Sequence, residues 1–276
     1  MQYEDGFYFK SLSSRSGEVK SLIVILHGHG SHPDKYLQWA HKTQEANPDA
    51  DLILVRAPVA LRATEAQKIS RNLQGVDDLY TWYKLDKRPG LQVELLLKQA
   101  LRRLTVFGKL NKMIDNQLQK RSLQDKDLAF IGFSMGGTMA VQTALRRKKE
   151  CAAVVCHSGA VLPFTRARKK PDTLMIMGDK DELFFLTERK GQRKSSRIFR
   201  AFHQAGMKAN LHHERSVRRL QKAGVSVTER IFRDLDHRIT EDSWHEASSF
   251  VAKKLQPEDK NFPLRGVRPE NPLNFI

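Results

Sequence analysis

A serine with glycines two residues away on either side is the first place in this chain where residue types and spacing could do chemistry. Gly132-Phe133-Ser134-Met135-Gly136 follows the short apolar run 127–131 and precedes the small-residue run 137–145. The first has the length of a strand, and the second reads as a helix. A turn sharp enough to join them directly strains the serine backbone. Side chains two positions away would collide with it, so glycine is needed there. The serine oxygen then projects above the carboxyl end of the strand. It sits beside the open N–H groups of the helix start, which favour negative charge.

Near pH 7 a serine hydroxyl is a weak nucleophile. It needs an imidazole to take its proton and a carboxylate to orient that imidazole. Both must sit at the ends of later strands on the same edge. Asp181 follows the apolar run 173–177, and His237 follows the alternating run 225–232. The chain order is then Ser134, Asp181, His237. Asp179, in the glycine turn Gly178-Asp179-Lys180-Asp181, competes with Asp181 for the acid role. His212 or His213 is a weaker rival for the base, and His245 reads as a surface residue of the last helix.

A second glycine-rich turn, His27-Gly28-His29-Gly30, comes straight off the apolar run 21–26. Such a turn lets a backbone N–H face a ligand. The amides of His29 and of Met135, the residue after the serine, are the expected oxyanion donors. His27, His29 and His32 invite a metal reading, but no carboxylate or cysteine stands at matching ligand spacing. His27 reads as a structural residue that bonds the loop. Trp82 and Tyr83 lie in a weakly patterned segment, 59–90. They are either one wall of an acyl pocket or an aromatic anchor that packs the segment down.

The elements around these residues alternate. Buried strands are expected at 21–26, 52–55, 127–131, 152–155 and 173–177, with an edge strand beginning at 7–9. Helices are expected at 35–46, capped by Asp34, at 91–119 with a possible break at Gly108, at 213–223 and at 241–255. This order predicts an α/β fold with a mostly parallel sheet and helices on both faces. With 276 residues, 40% of them hydrophobic, one domain over 1–255 is expected, carrying a basic helical insertion at about 184–211. A proline-containing tail follows at 256–276.

The chain carries 48 Lys and Arg against 31 Asp and Glu, a net charge of +17. That field attracts anions. The basic residues are spread along the chain, and neither zinc-finger spacing nor an RNP-like aromatic motif accompanies them. An acidic partner or anionic surface fits better than a sequence-specific nucleic-acid reader. No apolar run reaches 18 residues, and the N-terminus lacks a basic stretch followed by an apolar core. Cys151 and Cys156 read as reduced, buried thiols. A cytoplasmic location is expected.

Leu26-His27-Gly28-His29-Gly30, Gly132-Phe133-Ser134-Met135-Gly136-Gly137, Gly178-Asp179-Lys180-Asp181 and Asp236-His237 together resemble the phospholipase/carboxylesterase family of α/β-hydrolases. That family includes the acyl-protein thioesterases and small bacterial carboxylesterases. The resemblance runs over about 22–255, and Ser158-Gly159 followed by Leu162-Pro163 also matches its loop after the strand. It implies an α/β-hydrolase fold without organic cofactor or metal. It implies Ser134 as nucleophile, His237 as base, Asp181 as orienting acid, and an oxyanion hole from the His29 and Met135 amides. The implied substrates are small acyl esters, thioesters or lysophospholipids, or an acylated protein. Two features depart from the family: the basic insertion, and Asp236 where the family usually has glycine. Two other readings stay open: a basic docking module with little catalysis on the same scaffold, and a peptidase.

Overall fold

The computed structural model describes residues 1–61, 78–83, 93–162, 167–181 and 213–256. The basic insertion, most of the 59–90 segment and the tail from 257 lie outside the described residues, as does His212. Eight strands form one sheet in the order β1-β2-β4-β3-β7-β8-β9-β10. They are β1 (Gln2–Glu4), β2 (Phe7–Leu12), β3 (Ser21–Leu26), β4 (Ala50–Arg56), β7 (Leu128–Phe133), β8 (Ala153–His157), β9 (Asp172–Gly178) and β10 (Val227–Phe232). β1 and β2 are antiparallel to their neighbours, and the other strands pair in parallel. A separate two-stranded pair, β5 (Val59–Ala60) with β6 (Tyr80–Thr81), sits beside it.

The helices are α1 (Leu37–Ala46), α2 (Val93–Lys120), α3 (Met135–Ala144), α4 (His213–Lys222) and α5 (Glu241–Leu255). Successive residues of a strand face opposite sides, and β3 shows the result. Leu22, Val24 and Leu26 pack with α2, α3 and α4 on one face. Ile23 and Ile25 pack with α1 and α5 on the other. On α2, Phe107, Leu110, Met113, Ile114 and Leu118 are all buried. That is the 3–4 residue stripe of a helix laid on a sheet. Each such side chain contributes about 1.5–3 kcal/mol by leaving water.

Three expectations need correction. The strand at 7–9 is not the edge: Gln2–Glu4 folds back on it and takes that place, because Asp5 and Gly6 both adopt positive φ and close a hairpin. Asp34 does not cap the first helix. A 3₁₀ turn, Pro33–Tyr36, precedes α1, and His32 caps it by accepting from the Asp34 amide. Gly108 does not break α2, since its exposed position asks nothing of a side chain.

Candidate functional site

β3 and β7 are neighbours at the middle of the sheet, and their carboxyl ends meet. In open α/β sheets this edge is where ligands gather. Ser134 ends β7 and begins α3 with φ 55° and ψ −122°, a conformation that non-glycine residues seldom adopt. The flanking glycines explain how it fits. A Cβ at Gly132 would lie 2.2 Å from the Gly136 carbonyl oxygen, and one at Gly136 would lie 2.0 Å from the Leu26 carbonyl oxygen. The turn is therefore pressed against both its own helix and the end of β3. The Ser134 amide donates to the His157 carbonyl at 2.8 Å, and its carbonyl accepts from Thr138 at 3.1 Å. Gly159 lies beneath it, where a Cβ would come within 2.7 Å of the Ser134 carbonyl oxygen.

The Ser134 hydroxyl is half-buried and meets His237 Nε2 at 2.9 Å. On the far side of the ring, Nδ1 meets Asp181 Oδ2 at 2.8 Å. Asp181 is fully buried, while the His237 side chain is about a quarter exposed (24%). Two loops make this alignment. The turn after β9 bonds to the end of β10, Asp179 N–H to Phe232 O at 3.0 Å and Lys180 N–H to Leu235 O at 3.0 Å. Gly178 allows it, since a Cβ there would lie 2.0 Å from the Leu235 carbonyl oxygen. Of the rival acids, Asp181 reaches the imidazole. The rival base His213 is buried elsewhere and bonds Glu229 at 2.8 Å. Asp236 points outward to Arg238 at 2.9 Å, so the residue before His237 does not crowd the ring.

The turn after β3 faces this row. His27 is buried in the neutral form: Nδ1–H donates to Gly28 O at 2.8 Å, and Nε2 accepts from Ala57 N–H at 3.0 Å. Burial, above all, lowers its pKa to about 4. Gly28 N–H donates to Tyr36 Oη at 3.1 Å, and Gly30 N–H to Tyr80 O at 2.9 Å. His29 lies between these two anchored glycines, and the Met135 amide opens α3 opposite.

The structure places Trp82 in the core. It is fully buried, its Nε1–H donates to His27 O at 2.8 Å, and its ring packs on His27 and Phe7. Of the two readings offered for it, anchoring describes this position, because no face of the ring is left for a substrate. Tyr83 is half-buried at the rim of the same cluster.

Three neighbours of the site have no role that the sequence motifs assign. Phe133 packs between His237 and His157, tilted against the first with ring centroids 5.0 Å apart and edge-on to the second at 5.3 Å. His157 is buried and neutral, between the Ser158 and Ser243 hydroxyls. Burial is the main reason that its pKa falls to about 3, with His237 adding to it. Thr81 is the third. Its hydroxyl donates to Tyr83 O at 3.0 Å, so it accepts from His29 Nδ1–H at 2.8 Å. The same oxygen lies 3.4 Å from Met135 Sδ. One buried threonine thus touches the side chains of both expected oxyanion residues. Only its place beside Trp82-Tyr83 could have drawn attention to it.

An acid, an imidazole and a hydroxyl in line, with two helix- and turn-derived amides nearby, can carry out acyl transfer through a covalent intermediate. The family model described as phospholipase/carboxylesterase matches residues 10–190. Among solved structures, esterase PE8 superposes with TM-score 0.66 at 23% identity, covering 90% of this chain and 99% of that one. The Bacillus cereus carboxylesterase gives 0.57 at 14% identity, over 90% and 94%. Arabidopsis thaliana SOBER1 gives 0.56 at 16%, over 85% and 99%. At these identities the structures speak for the fold, and the fold is that of an α/β-hydrolase.

Proposed function

The chain belongs to the phospholipase/carboxylesterase family, and from that premise we propose that it is a serine hydrolase cleaving carboxylic esters or thioesters through an acyl-Ser134 intermediate. The observation that carries this reading is the unbroken line Ser134 Oγ, His237 Nε2, His237 Nδ1, Asp181 Oδ2, with both contacts under 3 Å.

In this reading His237 takes the Ser134 proton as the oxygen attacks the acyl carbon. The buried Asp181 carboxylate holds the ring in the right tautomer and stabilises the imidazolium. The charge that develops on the acyl oxygen is met by the amides of His29 and Met135, aided by the α3 dipole. His237 then gives its proton to the leaving alcohol or thiol. A water, activated by the same imidazole, releases the acid and restores Ser134. Every step uses groups of this chain and needs no cofactor. Tyr83 is the candidate for one wall of the acyl site. The buried free thiols of Cys151 and Cys156 suit a reducing compartment such as the cytoplasm.

The test is Ser134→Ala. It should abolish hydrolysis of p-nitrophenyl esters and acyl thioesters of graded chain length, and labelling by a fluorophosphonate probe. Turnover persisting in that variant would overturn the assignment. Salt-dependent retention on an anionic matrix by a wild type that hydrolyses none of the panel would favour the docking reading instead.

A further inference from the structure

β7, β8 and β9 run parallel, so the loops that enter them lie at the edge of the sheet opposite Ser134, one strand length or roughly 20 Å away. Two of these loops are basic. α3 runs out into Arg146-Arg147-Lys148-Lys149 before β8, and Arg168-Lys169-Lys170 leads into β9. The loops touch. The amides of Arg168 and Lys169 both donate to the Leu145 carbonyl, at 2.9 and 3.4 Å. The Lys170 amide donates to the Glu150 carboxylate at 2.8 Å. The Lys170 ammonium reaches over Gly224, where a Cβ would lie 2.7 Å from it, beside the last turn of α4 with Lys222.

Lys148, Lys149, Arg168, Lys170 and Lys222 are exposed, and Lys169 is half-buried. None of the six forms an ion pair among the described residues. Nearby acids are engaged: buried Arg147 holds Asp115 at 2.7 Å and Asp125 at 2.6 Å, and Lys254 holds Asp172 at 2.6 Å. Arg146 already feels the crowding. Burial first, and Arg168 after it, hold its guanidinium below the usual range. The Ser134 edge is arranged differently. Lys180 is paired with Asp234 at 2.5 Å, Arg238 with Asp236 at 2.9 Å, and Lys10 with Asp34 at 2.6 Å. Among the described residues, Lys35 and Arg233 are unpaired near the Ser134 edge, and the larger group of unpaired cations lies on the edge that faces away from it.

We infer that this edge is a docking surface for the phosphate backbone of a nucleic-acid duplex, bound without regard to sequence. Three observations choose this partner. Among the described residues the exposed large hydrophobics are Met1, Tyr3, Tyr8, Val19 and Ile231, and none lies in 146–152, in 167–171 or in α4. A membrane-binding surface couples its charges to apolar side chains, and a single-strand binder supplies aromatic platforms. The described residues of these loops offer neither; beside the single carboxylate of Glu150 they present lysine and arginine, the residues that neutralise phosphates. An acidic carrier delivering substrate would have to approach the other edge. A duplex held here leaves the Ser134 rim open.

The experiment is fluorescence anisotropy of a labelled 20-base-pair DNA duplex with the full chain, from 50 to 300 mM NaCl. Wild-type affinity should fall with salt, with a log–log slope of about 0.9 per phosphate contacted. The combined variant Lys148→Glu, Lys149→Glu, Arg168→Glu, Lys170→Glu should bind at least about tenfold more weakly and flatten that slope by roughly three. A matched reversal at Lys42, Lys109, Lys112 and Arg233, away from this edge, carries the same charge change and should lose less than about threefold. Ester hydrolysis should be equal in all three proteins. If the reversed patch does not fold, the four glutamine substitutions serve, with the same ordering expected. Equal losses in both sets, unchanged binding by the patch variant, or binding to phosphatidylglycerol vesicles but not to the duplex would each overturn the inference.

Discussion

Ser134, Asp181 and His237 meet because each lies in the turn or loop that follows a strand at the same rim, and the two carboxylates of the β9 turn show how narrow the choice is. Asp181 is buried with an oxygen 2.8 Å from His237 Nδ1, whereas Asp179 lies two residues back with its amide tied to β10. Asp181→Asn should therefore lower kcat by roughly a thousandfold or more, since the ring loses its tautomer and its counter-charge. Asp179→Asn should leave kcat within a few-fold, and steady-state ester kinetics on the two variants decide it. Thr81 acts one step further out. Its hydroxyl holds His29 Nδ1 at 2.8 Å and borders Met135, so it fixes the turn whose amide would face the acyl oxygen. Thr81→Val should reduce kcat by on the order of tenfold with KM nearly unchanged, because donors misplaced by a fraction of an ångström serve the transition state worst. Thr81→Ser keeps the hydroxyl and should restore the rate. An equal change in KM and kcat, or no rescue by serine, would reduce Thr81 to a packing residue.

At the scale of the element, β7-turn-α3 is a unit whose geometry is set by backbone contact. The Gly136→Ala methyl would arrive 2.0 Å from Leu26 O, a rigid backbone atom at the heart of the sheet. That variant should fail to accumulate as folded protein or lose all esterase activity, by circular dichroism and probe labelling. Gly108 gives the contrary case. It lies exposed within α2 with nothing within 4 Å of an added Cβ. Gly108→Ala should raise stability by about 0.5–1 kcal/mol in urea unfolding, through helix propensity and a less flexible unfolded chain. The two substitutions are the same in chemistry and opposite in sign, and only the surroundings differ.

At the scale of the whole molecule, His27 and His157 are buried and neutral, their pKa values lowered from 6.5 to about 4 and about 3. In the unfolded chain each binds a proton near pH 6.5. The unfolded state therefore takes up protons first as pH falls, and stability declines from about pH 6.5 towards the folded-state values. By about pH 4.5 the loss should be on the order of 2–3 kcal/mol per histidine. Urea midpoints at pH 7.5, 5.5 and 4.5 should fall in that order, and a flat series would contradict the burial of both rings. Charge is organised at this scale too: among the described residues, Lys180 and Arg238 are paired at the Ser134 rim, and a group of unpaired lysines lies on the opposite edge.

Period and turn chemistry are local, and so the sequence alone was enough for the elbow around Ser134, the buried strands at 21–26 and 173–177, the last helix at 241–255 and the parallel α/β arrangement. Steric demands over five residues, and apolar repeats of two or 3.6, do not depend on distant neighbours. It also narrowed the site to a few ionisable residues at strand ends. What it left open were relations between elements far apart in the chain. Ser134 and His237 are 103 residues apart, and Asp181 and His237 are 56 apart. Which aspartate meets the ring depends on how the β9 turn locks onto the end of β10 through Gly178 and Leu235. The same holds for Trp82 turning into the core, for Thr81 touching His29 and Met135, and for the edge strand at 2–4. Such contacts are set by strand order and register across the sheet, and no window of neighbouring residues encodes them.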